Sequence, residues 1–452
     1  MGARLTDSEL YAHLWGTDEL RAVFDERARL QGWLDVLAAL ARAQAKLGIV
    51  PTEAADAIAE GATVDRLDLD FVAEETRRTS HSTLGLIRGL QQVLPETAAE
   101  HVYLGVTVQD VTDTWAVLAL REVVRVVGRD LWAVEGLLLD LAERHRDTVM
   151  VGRTHGQPGA PITFGFKAAS WADEVRRHLD RLREGRLRWL VGQLGGAVGV
   201  LGFFGADGPA LRSAFCTELG LDDPGISWLT SRDRLAEAAS VFALVTGTLA
   251  RIGNEVLELQ RPEIGELAEP TTPDLVGSIT MPHKRNPERS EHLDTLARLV
   301  RANAGVLLEG TAQLHERDGR AWKAEWVAFP EVCLLTGVAL RTAIELLAGL
   351  EVDIGAMAAK VGPDAGSERV LAVLTARLGR HRAQEALHRA LQPGTAATPR
   401  PLVEAVVADG LLTAAEVARL LAEPAVEGAV AMVDEVVRRG RAARAADPLA
   451  GA

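Results

Sequence analysis

Residues 113–146 read DTWAVLALREVVRVVGRDLWAVEGLLLDLAERHR, with neither proline nor a long polar gap. Trp115, Leu118, Val123, Val127, Leu131, Val134, Leu138 and Leu141 are among the apolar residues that cover more than one face at helical spacing. A helix of this length spans roughly 50 Å at 1.5 Å rise per residue. A rod apolar over so much of its circumference needs several neighbours. Further long helices are predicted at 22–49, 163–190, 232–260, 288–314 and 329–350, with shorter ones within 54–69 and running through Leu90. Long helices joined by short breaks predict an all-α fold with a central long-helix bundle, completed by other subunits. The bundle occupies 105–350. An N-terminal helical domain, 1–104, precedes it, and a small C-terminal helical domain, 351–452, follows, with loops at 362–367 and 393–401.

Composition narrows the functional classes. The 452 residues are 48% hydrophobic and 25% charged, which is ordinary for a globular chain, while aromatics at 4% favour helix over sheet. A formal charge of −14 argues against a general nucleic-acid binder. Cys216 and Cys333, the two cysteines, supply neither a disulfide framework nor zinc spacing, as expected of a reducing compartment. The polar residues 1–7 do not open a signal peptide, and charges interrupt every long apolar run. The expectation is a soluble, cytoplasmic protein with no membrane partner.

The breaks between rods hold the unusual residues. GVTVQD (105–110) precedes the longest rod, GRTHGQP (152–158) the next, LGGAVG (194–199) is a glycine-rich turn, and EIGE (263–266) leads into GSITMPHKRNP (277–287). In that last stretch Pro282 and Pro287 fix φ and bias Met281 and Asn286 away from helix. Helix N-termini expose unpaired N–H groups at the positive end of the dipole, and so favour carboxylates. If Thr107, His155 and Ser278 converge, they bind a small polyanion, with Lys284 and Asn286 adding a charge and an amide. His283 and His292 are nine apart, there is no HExxH and no Walker A motif, and Gly195-Gly196 lacks a strand–helix context. No metal or cofactor is expected.

The stretch 277–287 closely resembles the signature loop of the fumarase/aspartase superfamily, GSSxMPxKxNP. Three more segments are similar in the same order: 105–110 to its first carboxylate-binding segment, 152–157 to the GRTHGQ form found in adenylosuccinate lyases, and 260–266 to the stretch before the loop. The resemblance implies a three-domain fold and a homotetramer whose active sites are each shared between three subunits. It also implies cofactor-free β-elimination of fumarate from a succinate-type dicarboxylate, through an aci-carboxylate dianion. On this chain it makes Ser278 the base, its alkoxide stabilised by loop amides and Lys284. His155 becomes the general acid, Glu291 the carboxylate that orients it, and His81 a second active-site histidine. Thr107, Gln109, Arg153, Thr154, Lys284, Asn286 and Arg317 become substrate-binding positions.

Departures from the family pattern set the expected substrate. Adenylosuccinate lyases begin with an Arg-Tyr-Ser element that contacts phosphate; this chain has Leu10-Tyr11-Ala12-His13-Leu14. His315-Glu316-Arg317 and Ala324-Glu325-Trp326 instead resemble 3-carboxy-cis,cis-muconate cycloisomerases, which generally lack the counterpart of His155. Val108 and Ile279 each stand where the family has a serine. The expectation is a lyase releasing fumarate from an amino-, nitro- or N-substituted succinate. Cycloisomerase, adenylosuccinate lyase and an inactive structural paralogue are the alternatives.

Overall fold

A computed structural model describes residues 4–272, 276–392 and 400–446. Helices dominate. Seven precede the first strand: α1 (Asp18–Phe24), α2 (Glu26–Lys46), α3 (Thr52–Gly61), α4 (Leu69–Thr79), α5 (Leu84–Gln92), α6 (Glu96–Ala99) and α7 (Val108–Arg144). A hairpin of β1 (Val149–Thr154) and β2 (Gln157–Thr163) leads to α8 (Phe164–Trp189), α9 (Gly208–Glu218) and α10 (Asp233–Gln260). Then come β3 (Leu267–Ala268), α11 (Glu288–Glu309), α12 (Gly319–Ala348) and β4 (Glu351–Val352), which pairs antiparallel with β3. The remainder holds α13 (Ile354–Ala359), α14 (Ser367–Leu378), α15 (Arg380–Leu391), α16 (Leu402–Ala408), α17 (Ala414–Leu420) and α18 (Glu427–Ala446).

Two units are built from non-contiguous segments. The first takes Met1–Leu131, His178–Ala250 and His292–Thr342. Its apolar core includes Trp33, Leu37, Leu86, Leu90, Val111 and Phe215. Close approach of α2 and α7 is possible because residue 32 is glycine: a Cβ there would lie 2.3 Å from the Trp115 ring. Arg232 is buried between Asp113 and Glu325, with Asp113 also accepting from the Trp322 indole at 3.1 Å. Burial disfavours such charges, and their mutual pairing offsets that cost. Burial also holds the Glu325 carboxyl above its ordinary value.

The second unit takes Trp132–Arg177, Arg251–Glu291 and Ala343–Ala452. There α18 lies along the last turns of α7, where Gly440 admits the Leu139 side chain and Arg444 stacks on Trp132 with its Cζ 3.4 Å from the ring centroid. Arg444 and Arg176 share the buried Glu135 carboxylate. Helices α14 to α17 enclose a smaller core around Leu374, Leu387, Val406 and Val417.

The predicted rods at 113–146, 163–190, 232–260 and 288–314 correspond to α7, α8, α10 and α11. Three readings need correction. The single helix expected at 22–49 breaks at Asp25, whose extended backbone and side chain, accepting from the Ala28 N–H, stop α1 and cap α2. The helix expected from Phe329 begins ten residues earlier at Gly319 and runs through Pro330, a residue that usually ends helices. The break at 152–158 is the turn end of a hairpin. The loop at 393–399 lies outside the described residues. Helices α10 and α12 are long and apolar enough to cross a membrane by length and composition, contrary to the reading of interrupted runs, yet 67% of each such window is buried within the protein, as in core helices.

Candidate active site

In the first unit the site residues surround the start of α7. Thr107 immediately precedes the helix, and its backbone N–H donates to Asp110 Oδ2 at 2.9 Å. Asp110 also accepts from Gly195 N–H (2.8 Å), Gly196 N–H (3.0 Å) and the Gln193 amide (3.2 Å), which ties the glycine-rich turn to the head of α7. Gly196 has φ +69°, a conformation that glycine adopts without strain. Despite four donors, burial pushes the Asp110 carboxyl up to about 6. Arg317 donates to Thr107 Oγ1 and stacks near Trp322, while its other N–H groups have no acceptor among the described residues. Gln109 is buried, donating to Leu229 O at 2.7 Å, and its Oε1 has no hydrogen-bond partner among the described residues. Val108 is buried as the first residue of α7.

His81 plays a local part visible in the geometry. Its Nδ1 accepts the N–H groups of Leu84 (3.2 Å) and Thr83 (3.4 Å), so the imidazole caps α5.

In the second unit, β1 and β2 meet at Thr154↔Gln157 across the two residues His155 and Gly156. Both have positive φ, +52° and +74°, as a type I′ hairpin turn requires. His155 is thereby presented, exposed, at the tip of a rigid hairpin, with Thr154 beside it. Arg153 turns the other way, and its fork is filled by the buried Glu266 carboxylate at 2.8 and 2.6 Å. As placed, Arg153 braces the hairpin.

The loop 276–287 is exposed at its tip and fixed at its foot. Ser278 Oγ accepts the Met281 N–H at 3.1 Å, and the Lys284 N–H donates to Met281 O at 2.9 Å. Gly277 is required here: a Cβ would meet Lys284 O at 2.4 Å. Ile279 is 93% exposed. At the foot, Gln260 donates to Arg285 O (3.1 Å) and accepts from Glu269 N–H (2.7 Å), while Arg285 reaches Glu269 O and Glu351 at 2.9 Å each. Glu269 caps α11, its carboxylate accepting from Arg289 N–H (3.1 Å), Ser290 N–H (2.7 Å) and Ser290 Oγ–H (2.6 Å). Lys284, Asn286, His283 and Glu291 line a cleft of roughly 960 Å³ beside this foot. Among the described residues no group of three or more His, Cys, Asp or Glu side chains is placed to hold a metal ion.

Thr107, Gln109 and Arg317 are thus assembled in one unit, and Lys284, Asn286 and Glu291 in the other. Sequence reading passed over Asp110, Gln193, Glu266 and Glu269. Asp110 and Glu266 lay inside quoted segments, Gln193 directly precedes one and Glu269 stands three residues beyond one, but a buried acceptor has no short-range pattern that separates it from a surface group.

Residues 15–302 match a family model described as lyase. The chain is 41% identical over 391 residues to the N-acetyl-S-(2-succino)cysteine lyase of Dickeya dadantii, covering 86% of each. It is 40% identical over 338 residues to the adenylosuccinate lyase of Pyrococcus horikoshii, covering 75% of each. The crystal structure of the 3-carboxy-cis,cis-muconate lactonizing enzyme from Pseudomonas putida superposes with a TM-score of 0.86 at 36% identity, covering 96% of this chain and 99% of that one.

Proposed function

For a chain that belongs to the fumarase/aspartase superfamily of lyases, we propose a β-elimination that releases fumarate from a 2-substituted succinate whose leaving group is a thiol. The likeness to an N-acetyl-S-(2-succino)cysteine lyase over 86% of both chains carries this reading. It replaces the amine or nitro leaving group that sequence reading preferred. A thiol ionises near pH 8.5, so a thiolate departs readily as an anion.

In the proposed chemistry Ser278 removes the proton next to one carboxylate. The Met281 N–H that already donates to its Oγ favours the alkoxide, as does the Lys284 charge. Lys284 and Asn286 hold the resulting dianion, and its electron pair forms the double bond as the bond to sulfur breaks. His155, oriented by Glu291, donates a hydrogen bond to the departing group, or a proton where that group is an amine. Thr107, Thr154, Gln109, Arg317 and His81 complete the site, and Arg153 acts through the hairpin. We further propose a cytoplasmic homotetramer with domains 1–104, 105–350 and 351–452, in which assembly brings together site residues of three subunits. Subunit exchange between Ser278→Ala and His155→Ala proteins restores activity if sites are shared; exchange without recovery rejects the sharing.

A C–N elimination is the second reading, because the His155 and Glu291 pair suits an amine that must leave protonated. One substrate panel separates the readings by fumarate absorbance: 2-succino thioethers, adenylosuccinate, argininosuccinate, aspartate and carboxymuconate. The expected result is fumarate from a thioether. Fumarate from N-substituted succinates alone rejects the thiol, and loss of carboxymuconate without fumarate identifies a cycloisomerase. Inertness toward every compound returns the structural paralogue.

A further inference from the structure

Within the first unit, α2, α7 and α12 form a pocket of roughly 230 Å³ that is lined by none of the candidate site residues, although Ser82 on its wall directly follows His81. Its walls are aromatic: Trp33 and Trp115 meet edge to face with ring centroids 6.3 Å apart, and Trp326 and Phe329 on α12 add two more rings. Three polar groups on lining residues, Trp33 Nε1, Arg29 Nε and Thr112 Oγ1, have no hydrogen-bond partner among the described residues. Trp33 is 8% exposed and Thr112 3%, so neither can turn to bulk water instead. Burying such groups unpaired costs free energy, and proteins seldom leave them so. Thr112 shows the departure most clearly. Thr246, Thr336 and Thr342, buried in α10 and α12, each donate to the carbonyl four residues back, the common outlet for a helical threonine. Thr112 makes no such bond.

We propose that this pocket binds a neutral carbonyl group on an aryl body, either as a small molecule or as the neutral end of a larger one. Hydrogen-bonding capacity sets the polar part. Indole and guanidinium N–H groups only donate and a hydroxyl can donate, so the lining holds three donors that one acceptor oxygen answers. Charge sets the neutrality. Asp113 and Glu325 also line the pocket, but Arg232 holds their carboxylates at 2.7 and 3.0 Å, and Asp113 accepts from the Trp322 indole as well. With Arg29 counted, two cations balance two anions, so a charged ligand would arrive uncompensated beside buried carboxylates. The surrounding rings favour an aromatic body, which packs edge to face or offset against them. The inference does not depend on which bond the proposed elimination breaks.

The test is direct binding to the full-length protein, by ligand-observed NMR, of three probes of one shape: acetophenone, benzoate and α-methylstyrene, which has a methylene in place of the carbonyl oxygen. Acetophenone should bind saturably, and the other two more weakly by roughly 3- to 10-fold. Thr112→Val should weaken acetophenone by a similar factor and leave α-methylstyrene unchanged, and Trp33→Phe should weaken acetophenone too. Because Thr112→Val removes an unpaired buried hydroxyl, its melting temperature should hold or rise, and it carries the test alone if Trp33→Phe does not fold. Equal binding of acetophenone and α-methylstyrene, or acetophenone binding indifferent to Thr112→Val, overturns the inference in favour of a plain apolar cavity. Tighter binding of benzoate, or no saturable binding of acetophenone, overturns it as well. Where acetophenone binds as expected, fumarate release tells the two sources apart: a raised KM at constant kcat marks a seat for the substrate's leaving end, and unchanged kinetics mark a separate ligand.

Discussion

The head of α7 and the 276–287 loop, which the proposed function asks to hold an anion, are built by opposite means. The head of α7 is largely buried: Asp110 accepts four hydrogen bonds, Thr107 is held from its backbone and its hydroxyl, and the half-buried Arg317 is stacked near a tryptophan. The 276–287 loop is exposed along its tip, and only its foot is tied, through Gln260, Glu269 and Arg285. A buried, satisfied network fixes geometry before a ligand arrives. An exposed tip on a fixed foot keeps freedom to close over one. Under the proposed function, the first region would position substrate and the second would supply the conformational step.

Ser278→Ala is the strongest attempt to break this contrast. It should lower kcat by at least about 100-fold while leaving the melting temperature unchanged, because Ser278 has a single local contact. A stability loss that tracked the activity loss would make the loop structural after all.

Asp110→Asn probes the other half through pH. Its folded value, about 6, lies above the ordinary 3.8, so the folded chain binds this proton more tightly than the unfolded chain. Its contribution is complete below pH 3.8 and is lost as pH rises through about 6. Asparagine does not titrate. Between pH 4 and pH 7 the stability difference should therefore move toward the variant by about 3 kcal/mol, from roughly two units at 1.36 kcal/mol each. Urea midpoints at the two pH values measure it, and a difference that stays flat shows that Asp110 does not carry the burial penalty.

His81→Asn sharpens a role that two functions share. Asparagine is a good helix cap, so stability should change by less than about 0.5 kcal/mol, while loss of a proton-transferring imidazole should lower kcat by on the order of 10²-fold. Retained kcat would reduce His81 to the cap seen on α5. The smallest effect is expected of Ile279→Ser: an exposed loop side chain should shift stability by no more than about 0.5 kcal/mol. A larger stabilisation loss would show that the tip is covered in the assembled protein.

Much of the fold was legible because long helices write their period into the sequence, as Trp115 to Leu141 do. What escaped is where one side chain overrides that pattern. Asp25 interrupts an unbroken apolar period by capping its neighbour. The helix was expected to start only at Phe329, next to a proline that helix interiors seldom tolerate, whereas α12 starts at the Asp318–Gly319 step, where Asp318 accepts from the Leu314 and Arg320 N–H groups. The hairpin was missed because six- and seven-residue strands joined by two turn residues leave little periodicity to count. Of the candidate site residues, His155, Ser278 and Lys284 stood out in the sequence through motifs that resemble those of the family. The buried carboxylates Asp110, Glu266 and Glu269, which tie down Thr107, Arg153 and the start of α11, did not, since only tertiary contact reveals which carboxylates are spoken for.

Glu269 carries a further consequence. Helix starts looked like ready receptors for a substrate carboxylate, but at α11 the chain has filled that seat with a carboxylate of its own. The helix end is self-neutralised, and under the proposed function an incoming anion is drawn instead to the exposed cation of Lys284. Exposed cations are screened by salt and helix-bound carboxylates far less so. Substrate affinity at the loop should accordingly weaken with ionic strength, while the foot that carries the loop stays where it is.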